Sequence, residues 1–201
     1  MKIAIIGATG NVGRRLVDEA LRRHHHVVGI SRDVAAPREG VIFKQADAAN
    51  PDALGAAVAG SDAVISALRF VTSDPDTLLD AVRRSSVKRY LVVGGAGSLE
   101  TATGKLLVES EHFPAAARDE ATGGKRFLDA LRAVNDLDWT MLCPSAQFIA
   151  GERTGTFRVG GDTLLTSAEG KSWISFEDFA IAMLDEVEAP KHVRARFTVG
   201  Y

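Results

Sequence analysis

Residues 3–13 read Ile-Ala-Ile-Ile-Gly-Ala-Thr-Gly-Asn-Val-Gly, an apolar run that meets three regularly spaced glycines and then a helix-period segment. No other stretch narrows the fold so far. A strand, a glycine turn and a helix in that order open a βαβ unit. Gly7 permits the sharp reversal, Gly10 lets the backbone approach a ligand, and Gly13 lets the helix pack closely on the strand. The helix start adds free N–H groups and a positive dipole end, which suit a phosphate group.

The remaining chain repeats the rhythm. Apolar runs rich in Val and Ile occur at Ile3–Ile6, Val27–Ile30, Val41–Lys44, Ala63–Ser66, Tyr90–Val93 and Trp139–Leu142. Their composition is that of strands buried on both faces. Between them Val12, Leu16, Ala20 and Leu21 share one helical face. Asp74-Pro75 reads as an N-cap followed by proline at the first helical position. A further helix is expected from about Glu120 to Val134, with Phe127, Leu128 and Leu131 inward. Beyond Pro144 the pattern changes. Thr156–Val159 and Thr163–Thr166, joined by Gly160-Gly161-Asp162, predict a hairpin. An amphipathic helix follows over Phe176–Val187, then a last strand over Arg196–Val199. The expected fold class is α/β: one doubly wound, mainly parallel Rossmann-type domain over 1–201, with a small C-terminal hairpin and helix extension. Substrate-side elements are expected from 98–120 and 145–201.

The glycine spacing G-x-x-G-x-x-G resembles the short-chain dehydrogenase/reductase superfamily, in its extended and atypical branches. Asp47 after the third strand, Gly94-Gly95-Ala96-Gly97 after the fifth, Cys143-Pro144-Ser145 after the sixth and Ile174–Ala180 extend the likeness along most of the chain. The compact size and the ending Arg196–Tyr201 are most similar to the NADH-flavin reductase group, with biliverdin-IXβ/flavin reductase a more distant relative. The resemblance implies that Gly7, Thr9, Gly10, Asn11, Val12 and Gly13 cradle a dinucleotide. It also implies that Asp47 contacts adenine, that Ala67, Leu68, Gly94 and Gly95 line the cofactor, and that Pro144 and Ser145 border the nicotinamide.

The second strand ends in Ser31-Arg32-Asp33. An acid at the strand end would bind both ribose hydroxyls and repel a 2′-phosphate, whereas Ser31 and Arg32 offer a hydroxyl and a guanidinium to one. NADP(H) is therefore the expected cofactor, with NAD(H) kept open by Asp33.

The superfamily's usual proton donor is a tyrosine four residues before a lysine, whose charge lowers the tyrosine pKa. Here Lys125 stands in the expected helix, but Ala121 holds the tyrosine position. The two tyrosines, Tyr90 and Tyr201, lie elsewhere. Carbonyl reduction loses its standard acid. A flavin is its own electron sink and exchanges protons with water, so it needs only stacking and orientation. The expected activity is NAD(P)H-dependent reduction of free flavin, as substrate and not as a bound group, or of a related planar acceptor. Lys125, Ser145 and His112 are the candidate catalytic residues, and Lys125 is also a candidate cofactor ligand that would hold the ribose or place positive charge near the reduced flavin. A non-catalytic NADP(H) sensor, and a quinone or small-carbonyl reductase using His112 as acid, are the alternatives.

His24-His25-His26 joins a helix to a strand, where adjacent side chains diverge, so no metal is expected. Cys143 reads as a small buried hydrophobe. Phe113, Phe148 and Trp173 are candidates for an aromatic pocket wall. A net charge of −2 gives no reason to expect nucleic acid or a membrane surface as partner. One cysteine and the absence of a long apolar run predict a cytoplasmic protein. A monomer or homodimer is expected.

Overall fold

The computed structural model describes residues 1–33 and 35–201. Its first six strands are β1 (Lys2–Ile6), β2 (His26–Ser31), β3 (Val41–Gln45), β4 (Ala63–Ser66), β5 (Arg89–Val93) and β6 (Asp138–Pro144). The helices are α1 (Asn11–Arg22), α2 (Pro51–Val58), α3 (Pro75–Arg84), α4 (Arg118–Arg132) and α5 (Phe176–Glu188). Three short strands, β7 (Gln147–Ile149), β8 (Arg158–Gly160) and β9 (Trp173–Ser175), precede the last, β10 (Ala195–Gly200).

The main sheet runs β3-β2-β1-β4-β5-β6-β10-β8, parallel throughout except for the antiparallel β10–β8 edge. Strand order reverses between β1 and β4, so the chain leaves those strands in opposite directions and a crevice opens beyond their C-terminal ends. The helices cover both faces. On one, Leu54, Leu78, Val82, Phe127 and Leu131 pack on Val64, Tyr90 and Trp139. On the other, Leu16 and Val17 of α1 and Phe179, Met183 and Leu184 of α5 pack on Ile3, Ile5 and Leu91. Fully burying each such side chain contributes about 1.5–3 kcal/mol.

Sequence-coded caps fix several helix starts. Asp74 accepts the Thr77 N–H at 3.0 Å before α3, and Ser175 Oγ accepts the Asp178 N–H at 3.0 Å before α5. Asn50 caps α2 in the same way, with Pro51 at its first position. Sequence reading passed over α2, whose eight residues are too few to display a helical period.

The expected 156–166 hairpin does not pair with itself. Arg158–Gly160 lies antiparallel to Thr198–Gly200 at the sheet edge, while Thr163 bridges to Glu100, whose carbonyl accepts the Leu164 N–H at 2.8 Å. A two-stranded ribbon alone is marginal in water, and here the backbone groups of the segment are taken by β10 and Glu100, so the glycine turn serves to redirect the chain. The extension holds instead a two-stranded parallel sheet, β7 with β9. Among the described residues no helix is long and apolar enough to cross a membrane.

Candidate functional site

The glycine turn lies at the crevice between β1 and β4. Gly7 has a φ of +81°, and a Cβ there would stand 2.8 Å from the Ala67 carbonyl oxygen. A Cβ on Gly13 would stand 2.0 Å from the Gly7 oxygen, so only glycine lets α1 begin this close to the strand. Gly10 is different. Its backbone is extended, and a Cβ would meet one atom only, the Gly7 oxygen at 3.3 Å. Space is therefore kept at Gly10 on the side of the cleft.

The start of α1 is left open as well. Helices α2, α3 and α5 each have a side-chain cap and an acid in the first turn, whereas α1 has neither. Its first N–H groups and positive dipole end are available to an anion. Arg14 adds a cation in the first turn, held by Asn11 Oδ1 at 3.0 Å. This combination fits the diphosphate of a dinucleotide.

From the turn a cleft of about 850 Å³ runs across the C-terminal ends of the strands. Gly10, Asn11 and Val12 border it on one side, Ala67–Phe70 and Val93–Gly97 form its floor, and Pro144–Phe148 with Phe176 close the far side. Leu107, Ser110 and His112–Pro114 overhang it. The far wall is aromatic: Phe148 meets Phe176 edge-on at 4.6 Å and Phe179 at 4.6 Å. Of the expected wall residues Phe113 and Phe148 line the cleft; Trp173 instead packs on Tyr201 at 4.2 Å.

At the end of β2 the Ser31 hydroxyl donates to the Asp33 carbonyl at 2.7 Å, and Gln45 Nε2 donates to the Arg32 carbonyl at 2.8 Å. These bonds shape the turn and leave the Arg32 and Asp33 side chains exposed. Asp47 is also exposed, and its Oδ1 accepts the Ala49 N–H at 2.9 Å. Thr9, Ser31, Arg32 and Asp47 lie outside the lining of the cleft itself.

The three candidate catalytic residues fare differently. His112 is exposed and overhangs the cleft. Ser145 is buried beside it, with its hydroxyl donating to the Val199 carbonyl at 3.0 Å. Lys125 is not brought to the cleft: its ammonium pairs with Asp129 at 2.7 Å, one turn along the exposed side of α4. Ala121, one turn earlier, does line the cleft and sits 2.5 Å from where a Gly97 Cβ would be. That contact seats α4 directly on the loop after β5.

Neither tyrosine replaces the missing acid. Tyr90 is fully buried within β5, and burial drives its phenol pKa up. The Tyr201 hydroxyl is bonded to Ser175 Oγ at 2.8 Å and Asp178 Oδ2 at 2.7 Å. Cys143 is buried under Gly94, and that burial pushes its thiol up to about 11, so it is a packed thiol. Within the histidine run, His25 Nε2 lies 2.8 Å from Glu188. Among the described residues no three His, Cys, Asp or Glu side chains gather as metal ligands.

Sequence reading missed two features of the cleft. Glu120 accepts hydrogen bonds from Phe70 and Val71, and Gly123-Gly124 admits Phe70 against α4. A lone acid and a glycine pair near a helix start carry no spacing signal that marks them.

Comparison with known proteins agrees with this geometry. A family model described as NAD(P)H-binding matches residues 7–190. The "uncharacterized protein YwnB" of Bacillus subtilis strain 168 is 36% identical over 215 aligned residues, covering 99% of this chain and 98% of that one. The crystal structure of a "putative exported protein" from Burkholderia pseudomallei is 42% identical, with a TM-score of 0.92 and full coverage of both chains. That of a "putative NADH-flavin reductase" from Streptococcus pneumoniae TIGR4 is 33% identical, with a TM-score of 0.85 over 100% of this chain and 99% of that one. Read with the glycine turn, the open start of α1 and the cleft at the strand reversal, these matches make the chain a member of the NAD(P)H-binding Rossmann family.

Proposed function

We propose that the protein is an NAD(P)H-dependent reductase of free flavin or a closely related planar acceptor, working in the cytoplasm as a monomer or homodimer. One observation carries this reading: a single cleft joins the phosphate-binding turn to an aromatic wall, and Ala121 stands in it where a carbonyl reductase would hold its tyrosine. NADPH is the preferred donor, because Arg32 can take the 2′-phosphate that an acid at the same place would repel.

When bound, the dinucleotide supplies a hydride, and one proton from solvent completes the two-electron reduction of the acceptor. The protein's part is binding and orientation. The backbone N–H groups of residues 11–13 and the Arg14 side chain would hold the diphosphate, while the Gly10 N–H is taken by the Gly7 carbonyl at 3.0 Å. Pro144 and Ser145 would border the nicotinamide, with Phe148 and Phe176 supplying the face on which an aromatic ring stacks. Ser145 already donates to Val199, and both Glu120 oxygens already accept N–H groups. Neither is free to deliver a proton, and Lys125 stands apart with Asp129. Solvent at the His112 mouth is then the proton source.

Steady oxidation of NADPH on adding riboflavin or FMN, followed by absorbance, is the expected result. Tight NADPH binding with no turnover on any flavin or quinone would replace this reading by the sensor one.

A further inference from the structure

We propose that Glu120 is a positioning residue for the dinucleotide cleft: its carboxylate pins the turn after β4 that forms the wall beside the glycine turn. The inference rests on the family's NAD(P)H binding and not on the identity of the acceptor.

Glu120 lies in the first turn of α4 and reaches across to a different element. Oε1 accepts the Phe70 N–H at 2.8 Å, and Oε2 accepts the Val71 N–H at 3.2 Å. Arg69 Nε lies 3.6 Å from the same Oε2. Three consecutive residues of the turn thus converge on one carboxylate. Hydrogen bonds to an acid stabilise more than neutral ones, so this is a firm attachment for a segment with no regular partner strand.

The rest of the helix face is cut to match. A Cβ on Gly123 would stand 2.9 Å from the Phe70 Cβ, and one on Gly124 would stand 3.0 Å from the Phe70 ring. Two glycines inside a helix cost about 1 kcal/mol each relative to alanine, so their presence reflects the close approach of Phe70. The ring, buried at 8% exposure, then rests on Phe127 at 5.5 Å.

The pinned turn is part of the ligand site. Leu68, Arg69 and Phe70 all line the cleft. Leu68 Cδ2 and the Ala67 carbonyl lie 3.2 and 2.8 Å from where a Gly7 Cβ would be, so the turn also abuts the phosphate-binding loop. Glu120 thereby sets the width of the cleft between the glycine turn and α4. With both oxygens engaged as acceptors, it acts by holding shape and not by moving a proton.

The test measures two quantities on the ligand-free and NADPH-bound protein: amide hydrogen exchange at Phe70 and Val71, and the calorimetric Kd for NADPH. Glu120→Ala is expected to speed exchange at both amides and to weaken NADPH about tenfold, the scale of a lost charge-assisted contact. Glu120→Gln, which keeps one acceptor oxygen, should fall between alanine and wild type, and it carries the test alone if the alanine variant does not fold. Faster exchange with NADPH affinity unchanged would overturn the proposal by making Glu120 a structural anchor only. Unchanged exchange at both amides would overturn it by removing the clamp. Failure of the wild type to bind NADPH would overturn the cofactor assignment and the proposal with it, whereas wild-type binding that Glu120→Ala leaves unchanged would overturn the proposal alone.

Discussion

Gly10 and Gly13 sit three residues apart in one motif, yet the structure predicts opposite failures when each gains a side chain. At Gly13 a Cβ would stand 2.0 Å from the Gly7 oxygen and 2.8 Å from its carbonyl carbon, both backbone atoms. Relief requires α1 to move off β1, an overpacking cost at the upper end of the usual range, about 3 kcal/mol. For a chain of this length that corresponds to a fall in Tm of roughly 6–12 °C. At Gly10 the single contact at 3.3 Å is relieved by a few tenths of an ångström, and the extended backbone suits a branched residue. Gly10→Val should therefore cost no more than about 1 kcal/mol in stability. Its methyl groups would enter the space kept for a diphosphate. Losing two charge-assisted N–H contacts, at about 1.5–3 kcal/mol each, predicts NADPH binding weaker by two to four orders of magnitude. Calorimetry for Tm and titration calorimetry for Kd read the two effects separately. A Gly10→Val protein that binds NADPH with wild-type affinity would refute the reasoning, as would a Gly13→Ala protein that keeps its Tm.

Arg32→Ala should weaken NADPH by about 2 kcal/mol while leaving NADH nearly unchanged, because only the former carries a 2′-phosphate; equal losses in titration calorimetry would count against it. Lys125→Ala should leave kcat, KM and NADPH affinity unchanged and cost about 0.3–0.5 kcal/mol in stability, the scale of its exposed pair with Asp129. His112→Ala should retain most of kcat in flavin reduction, whereas a general acid contributes about 10²–10⁴-fold, so a loss above a hundredfold would revive the carbonyl-reductase reading. Burial raises the Glu19 carboxyl pKa, but hydrogen bonds from Arg153 and Arg23 outweigh it and leave the pKa lowered. The stability this contributes is present above the unfolded pKa of about 4.3 and is lost as pH falls through the lower folded value. Tm should fall more steeply below pH about 4 in wild type than in Glu19→Gln, and parallel acid profiles would contradict it.

How far the chain could be read follows from where its signals reside. β1, β2, β4, β5 and β6 were legible because each is a short apolar run buried inside the sheet. β3 read the same way although it is the edge strand and leaves Ile42 exposed, and Asp74-Pro75 marked α3 through a cap that the fold uses. Gly7, Gly10 and Gly13 were legible because their spacing is dictated by local geometry. The 156–166 segment was misread because its partners, β10 and Glu100, are distant in sequence and no local pattern names them. Lys125 drew attention by its helix position, but Asp129 one turn on provides the nearer partner. Glu120 escaped because its role depends on the backbone of Phe70 and Val71, fifty residues away. Side chains that serve remote backbone atoms leave no periodic trace.

The reaction proposed for this cleft is hydride delivery to a planar acceptor without a dedicated acid. A single-turnover reaction tests it most directly: protein with one equivalent of NADPH is mixed anaerobically with riboflavin, and both absorbances are followed. Flavin bleaching and NADPH oxidation should proceed together, one for one, at a rate that does not collapse in His112→Ala or Ser145→Ala. Bound NADPH that persists unoxidised in the presence of excess flavin would contradict it.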